Sequence, residues 1–323
     1  MQEIDSNKYG NDFNDEIDLR ELISVLVQGK WVIAYVTAFL IIIGTLYSLL
    51  LPNIYQSKAL LAPVDESSSL ISGALSQFSG LAGVAGINLS AGEQGGNHKK
   101  AIELISSLNF FEKHLMPKIF LPDLMAIEYW DDKENIIIYD ESIFQKNSET
   151  WVRDFSYPQK LIPSAQESFE AFKDDHLNIL EDNKTGYIAL SIKHQSPLIA
   201  KQWVEIIVEE VNSFYRQKDK EYSEKAVSYL NKQIANTSLS EVRQVTASLL
   251  EKEIQKLTLV EANEDYVFEY VYPPSVMEEK SEPNRLLIII LFFLFGCILG
   301  ASIVLFRHFF LKEKNDADRI TMR

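Results

Sequence analysis

Twice the chain runs for 21 residues without a charged side chain, from Trp31 to Leu51 and from Leu286 to Phe306. At about 1.5 Å per residue either run is long enough, as a helix, to cross the ~30 Å hydrocarbon core of a bilayer. The second holds 16 Leu, Ile, Phe or Val residues, each worth roughly −0.3 to −0.6 kcal/mol of insertion free energy. The pattern therefore predicts two transmembrane helices. A cleaved signal is not expected of the first, because its leader is long and acidic and no small-x-small site follows Leu51.

Between and before these runs the periodicities change. Ile17, Leu19, Leu22, Ile23 and Leu26 recur at helical spacing behind Asp12, Asp15, Glu16 and Asp18, which predicts a short amphipathic helix with its acids at the favourable end of the dipole. Tyr55 to Ala62 is a strand stopped by Pro63. Ser67 to Asn97, with seven glycines from Gly73 to Gly96, lacks the bulk for a core of its own; Gly92 to Lys99 misses the GxxxxGK[ST] pattern of a phosphate loop and is expected to be a surface loop. Ile102, Leu104, Ile105, Leu108 and Phe111 predict one helix from about Lys99 to Leu115, ended by Pro117. Pro163 and Ser164 open another through Phe169 and Phe172, and Leu177 to Leu180 and Tyr187 to His194 alternate around Asp182 to Gly186 as a hairpin. Strands interleaved with helices indicate an α+β body with a mixed sheet.

Ser196-Pro197 starts a helix, with serine as cap and proline at the first helical position. Apolar positions then recur from Trp203 to Leu257. One straight helix would reach about 96 Å, yet Tyr266 to Tyr272 reads as a strand shortly before the second apolar run. A long helical arm is expected, breaking near Asn236 and returning, with Ser238 to Glu241 as a capping box for the second helix.

Charge settles the expected orientation. Arg20 and Lys30 precede the first span, and Arg307, Lys312, Lys314, Arg319 and Arg323 follow the second, so the positive-inside rule puts both termini in the cytoplasm and the 234 residues from Pro52 to Arg285 outside. The expected organisation is a cytoplasmic segment 1–30, spans 31–51 and 286–306, an external domain 52–285 and a tail 307–323, with a base of 52–196 and 264–285 and an arm of 197–263. Of the 46 acids, 36 lie in the external stretch, against 23 of the 31 bases. Such an acidic body excludes nucleic acid as a partner and does not adhere to anionic lipid through a basic patch. The one cysteine, Cys297, lies inside a span, so no disulfide staples the domain.

Candidate chemistry is sparse. His98, His114, His176, His194 and His308 show no metal-ligand spacing, and Asp174-Asp175-His176 reads as an exposed helix end. Carboxylates are numerous enough that a glycosidase-type pair stays open, but no convergent set of reacting groups emerges; the chain is expected not to be an enzyme and to need no cofactor or metal. Gly44 and the GxxxG pair Gly296 and Gly300 are candidate span-packing residues. The basic residues Arg216, Lys218, Lys220 and Lys225 are candidate contacts to a neighbouring copy or a glycan, or a solvated face. A thin arm without disulfides has little interior of its own, so packing between copies in a homo-oligomer is expected.

Several segments together resemble the polysaccharide co-polymerases, or chain length determinant proteins, of Gram-negative inner membranes. They are Asp18-Leu19 through Lys30-Trp31; Pro52 to Tyr55 followed by Ala59 to Pro63; Thr185-Gly186-Tyr187 through Ser196-Pro197 and Ala200; and Tyr266 to Tyr272 leading through Pro273, Pro274, Pro283, Asn284 and Arg285 into a glycine-containing span. The resemblance implies a membrane-proximal periplasmic domain, an extended helical arm, a ring of several copies, and control of how many units a polymerase adds to lipid-linked O-antigen or a related glycan. It makes Pro52, Pro273, Pro274 and Pro283 candidate domain-to-span junction residues, although the proline stretch is sparser than in many relatives. The short tail carries no Walker loop, so kinase activity is not expected. The rival reading is a two-span periplasmic sensor signalling through a separate partner.

Overall fold

The computed structural model describes residues 19–64 and 96–321. The acidic lead through Asp18, nearly all of the glycine-rich stretch and Arg323 lie outside the described residues. The chain divides into two compact units, one holding both apolar runs (to Pro52 and from Pro283) and the other spanning Asn53–Glu282.

In the first unit, helix α1 (Leu19–Gln28) is followed after Gly29 by α2 (Lys30–Leu50), and a third helix closes the chain from Arg285 to Thr321. Windows of both Lys30–Leu50 and Arg285–Phe310 are long and apolar enough to cross a membrane, and only 17% of either is buried. An apolar surface left that open is not a soluble core helix; it calls for lipid. The two helices run antiparallel, since Gly44, Thr37 and Ile33 meet Phe292, Gly296 and Gly300 in that order. The second helix continues past Phe306 into the tail without interruption.

In the second unit, strands β1 (Tyr55–Pro63), β6 (Leu177–Glu181), β7 (Ile188–His194) and β8 (Phe268–Tyr272) form one sheet in the order β6-β7-β1-β8. Every pairing is antiparallel, from Tyr55 opposite His194 to Leu61 opposite Ile188, and from Leu177 opposite Ile192 to Glu181 opposite Ile188. This corrects the expected mixed sheet. β6 and β7 are joined by a tight hairpin and β1 lies between two strands that both oppose it, so the intervening helices never serve as parallel crossovers. The hairpin closes where Asp182 accepts from Lys184 N–H and Thr185 Oγ1, with Gly186 at φ 72° supplying the left-handed residue. Alternation aims Ile188, Leu190 and Ile192 to one face, where all three are buried.

A long helix, Pro197–Asn236, covers that sheet with its first half. Ala200, Trp203, Val204, Ile207, Val208 and Val211 recur three and four apart and are all buried. At roughly 1.5–3 kcal/mol for each large apolar side chain, this stripe is the main seam of the core; a charge at Ile207 would break it. Ser196 does hold the cap position with Pro197 next, but its hydroxyl makes no capping bond. Instead Ser196 N–H donates to Nδ1 of His194 at 2.9 Å.

The helix expected over 99–115 is three pieces. Helix α3 (Gly96–Ile105) stops at Ser106-Ser107, and Ser107 caps a single turn, Leu108–Phe110, that widens into a π-helical turn over Phe111–Leu115. The Ser107 hydroxyl bonds both Leu104 O and Phe110 N–H, giving the backbone an alternative to continuous helix. The break turns Phe110, Phe111 and Leu115 fully inward. Helix α4 (Ala165–Ala171), capped by Ser164, likewise ends in a π turn, Phe172–His176. Between them β2 (Ile127–Asp131) pairs with β3 (Ile136–Tyr139) and β4 (Phe144–Gln145) with β5 (Thr150–Trp151), around a small cluster of Ala126, Tyr139 and Phe144.

Counted in chain order the long helix is α5, followed by α6 (Ser240–Ala262), while the closing helix of the first unit is α7. Beyond Ser223 no residue of α5 is buried. The break at Thr237–Leu239 falls where helix propensity fails, but the capping box does not form: α6 begins at Ser240 with Leu239 at the cap position and no side-chain bond. Arg243 reaches back to Thr237 O at 2.7 Å, satisfying a carbonyl that the break leaves exposed.

Candidate functional site

The candidate span-packing glycines lie at the α2–α7 contact. A Cβ at Gly296 would stand 2.8 Å from Thr37 Cα, one at Gly300 2.9 Å from Ile33 Cα, and one at Gly44 2.5 Å from Phe292 Cγ. The first two meet backbone, which cannot yield. Gly29, not singled out from the sequence, is equally tight, 2.4 Å from Val304. Beside Gly296, Thr37 Oγ1 donates to Cys297 Sγ at 3.8 Å.

Of the candidate junction prolines, Pro273 and Pro274 follow directly on β8, and Pro274 is buried. The next carbonyl, Ser275 O, accepts from Ser57 Oγ at 2.9 Å, holding this stretch against β1. Farther on, Ile54 N–H donates to Glu282 O and Ser281 N–H to Ile54 O, so the chain enters and leaves this unit at one point. Lys193 Nζ bonds the Glu282 carboxylate at 2.5 Å and Lys280 bonds Asn53 at 3.3 Å. Pro52 and Pro283 each stand one residue outside this unit.

The basic residues on α5 have distinct surroundings. Lys220 is paired with Glu261 of α6, which holds its ammonium above the ordinary lysine range. Its neighbour Asp219 faces Lys256 at 3.9 Å and accepts from Tyr266 Oη at 2.6 Å. Lys218 is exposed and lies 5.8 Å over the Tyr215 ring, and Lys225 is exposed with Glu221 at 3.9 Å. Arg216 is half-buried on the same stretch. The four do not form one patch: Lys220 braces α5 against α6, whereas Lys218 and Lys225 are offered outward.

Two buried polar groups went unnoticed in the sequence. Glu210 on α5 is almost wholly buried and pairs with Lys118 and, at 3.4 Å, with His114. The Glu210 carboxylate in turn raises the Lys118 ammonium above its usual range. Asn212, two residues farther along α5 and also buried, uses both ends of its carboxamide at the start of β8: Oδ1 accepts from Val267 and Phe268 N–H and Nδ2 donates to Phe268 O, each at 2.9 Å.

A small polar cleft of about 160 Å³ opens where the end of the Leu121–Met125 helix meets the end of β7. Its walls bring together Asp123, His176, His194 and Gln195. His194 continues the inward alternation of Ile188, Leu190 and Ile192; that parity is the sequence signal for it. Its ring sits 5.6 Å from that of His176 and 5.0 Å from that of Trp203. Because Ser196 N–H occupies its Nδ1, Nε2 carries the proton and donates to Asp123 O at 3.0 Å. Burial pushes its pKa down to about 4 and also lowers that of His176. Desolvation raises the Asp123 carboxyl, against the opposing hydrogen bond from Tyr139 Oη at 2.5 Å. Asp174 and Asp175 are exposed as expected, but His176 is turned inward and donates to Lys193 O at 2.6 Å. Among the described residues no group of three or more His, Cys, Asp or Glu side chains is placed to hold a metal ion.

Comparison with known proteins gives three findings. Residues 15–115 match the family model "Wzz: Chain length determinant protein". No curated protein sequence matches the chain. Among solved structures it is similar to a full-length bacterial polysaccharide co-polymerase, at 15% identity over 91% of this chain and 99% of that one with a TM-score of 0.39. A second likeness is to a fragment of WzzB, a polysaccharide co-polymerase from Salmonella Typhimurium, at 14% identity over 71% of this chain and 100% of that one with a TM-score of 0.30. Superpositions that loose leave the arrangement of elements to be argued from this chain alone. The sequence match does not depend on them: residues 15–115, through the first span and β1 to the π turn that ends at Leu115, are similar to the Wzz chain length determinant family.

Proposed function

We propose that the protein regulates polysaccharide chain length without catalysing a reaction itself, as an oligomeric co-polymerase that modulates the polymerase of an O-antigen-type, lipid-linked glycan. The observation that carries this is the match of residues 15–115 to the chain length determinant model. In this reading α2 and α7 cross the inner membrane of a Gram-negative bacterium, both termini are cytoplasmic, and residues 53–282 stand in the periplasm. Two helices of spanning length and composition support it, as does the basic bias outside them.

The working object in this reading is a ring of several copies. Past Ser223 the α5–α6 pair exposes Tyr229 on one helix and Val242, Val245, Leu249 and Ile254 on the other. Two helices cannot enclose so many apolar side chains, and a neighbouring copy supplies the missing cover. Glycan, polymerase or both then meet the assembled surface, with Lys218 and Lys225 as the outward cations.

Deleting the gene and separating the surface polysaccharide by length on a gel tests the reading. A changed modal length, restored by the gene in trans, is the expected result. An unchanged ladder would abandon it in favour of a two-span sensor or another role.

A further inference from the structure

The cleft between the Leu121–Met125 helix and β7 has binding capacity that the fold does not use. His194 is saturated, both ring nitrogens being bonded to backbone. Its neighbours are not. His176 spends Nδ1–H on Lys193 O, so in the neutral ring favoured by burial Nε2 keeps a lone pair that no described residue meets. Asp123 spends Oδ1 on Tyr139, leaving Oδ2. The Gln195 carboxamide, half-buried, bonds none of the described residues. Two acceptors and an amide therefore belong to residues that line one opening, and Leu124, Met125 and Ile127 line it beside them.

Such a set matches a molecule that is rich in hydroxyl donors on its edge and bears C–H groups on its face. A metal ion finds too few ligands here. An organic cation would meet Asp123, but Lys146 already acts on that carboxylate and reduces the attraction. The volume equals about five waters at ~30 Å³ each, the scale of one sugar ring.

We propose that this cleft binds a single neutral sugar ring, a subsite for the glycan whose length the protein regulates. The source of the sugar rests on the chain-length reading; the site itself rests on Asp123, His176 and Gln195. Hydroxyls of the ring donate to Asp123 Oδ2 and His176 Nε2, another engages Gln195, and the apolar wall takes one face of the ring.

Saturation-transfer NMR on the full-length protein in detergent tests this directly. The probes are methyl α-glucoside, methyl α-rhamnoside and N-acetylglucosamine, each titrated separately. Saturable transfer from at least one is expected, weakened at least tenfold by Asp123→Asn, which can still accept from Tyr139, and by His176→Phe, which keeps the ring packed on Trp203. Melting curves matching the parent would show that both variants fold. Absence of saturable transfer for all three up to about 100 mM, where a site of Kd ~1 mM is full, would overturn the proposal. So would binding indifferent to both substitutions, or transfer seen only for methylammonium, titrated in parallel as a cationic control. A deletion that changes the polysaccharide ladder while no sugar binds removes the subsite alone; sugar binding beside an unchanged ladder removes the chain-length reading alone.

Discussion

Asn212 holds Phe268 by both of its backbone groups, accepting from its N–H and donating to its carbonyl at 2.9 Å each. A third bond, from Val267 N–H to the same Oδ1, fixes the start of β8 to the middle of α5, 55 residues away in sequence. Both sites are buried. Removing the carboxamide leaves polar backbone in the core without water, a cost of about 1–3 kcal/mol per orphaned group. Asn212→Leu is therefore expected to destabilise the protein by about 3 kcal/mol, measured as a shift of the urea midpoint at constant slope. Asn212→Asp should do no better, because it keeps the acceptor but sets a carboxylate oxygen against Phe268 O.

Acid sensitivity follows from His194. Its folded pKa, about 4, lies below the value of ~6.5 expected when unfolded. Between these values the unfolded chain binds the extra proton and the folded one does not, so stability is complete above pH 6.5 and falls as pH drops toward 4. His176, also lowered, adds in the same direction. Protonating His194 Nδ1 destroys the bond from Ser196 N–H at the start of α5. Chemical denaturation from pH 7 to pH 4.5 should show a progressive loss of about 2 kcal/mol from His194. In His194→Gln that slope should flatten, from a lower starting stability.

What could be foreseen from the sequence followed from spacing, and what could not depended on partners distant in sequence. The charge-free runs, the strand Tyr55 to Ala62 stopped by Pro63, the alternation of Tyr187 to His194, and the recurrence of Trp203, Ile207 and Val211 each need only their own local pattern to declare an element. The three-part break around Ser107 was hidden because its apolar residues keep helical spacing while the backbone does not. The capping box at Ser238 failed although its residues were right, because the helix starts two residues later, at Ser240, with Leu239 at the cap position. Asn212 looked like any polar residue on a helix; only the fold sets β8 against it. The histidines looked scattered because His176 and His194, 18 positions apart, meet only when β6 pairs with β7. Likewise the run from Arg216 to Lys225 appeared to be one charged band, and α6 divides it by engaging Lys220.

The glycine contacts between α2 and α7 predict a specific cross-link. Thr37 Oγ1 lies 3.8 Å from Cys297 Sγ, so Thr37→Cys places two thiols side by side. Oxidation should then give an intrachain disulfide, seen as linked fragments after cleavage between the spans on a non-reducing gel. Covalent dimers in its place would show that the GxxxG face joins copies and not the two helices of one chain. Adding Gly296→Leu should abolish the intrachain product, because its side chain would start 2.8 Å from Thr37 Cα and force the helices apart.

The basic residues of α5 separate into structural and outward-facing groups, and charge reversal should distinguish them. Lys220→Glu sets two carboxylates together where Lys220 now meets Glu261, so it should loosen the α5–α6 pair and expose the Thr237–Leu239 turn to protease. The swap Lys220→Glu with Glu261→Lys should restore protease resistance, since it restores opposite charges at the same positions. Lys218→Glu and Lys225→Glu leave that pairing intact, and their effect should appear only in the polysaccharide ladder or in the assembly. If both leave modal length and oligomer size unchanged, these two lysines are solvated surface, and the contacts that set chain length must be sought on the apolar face of α6.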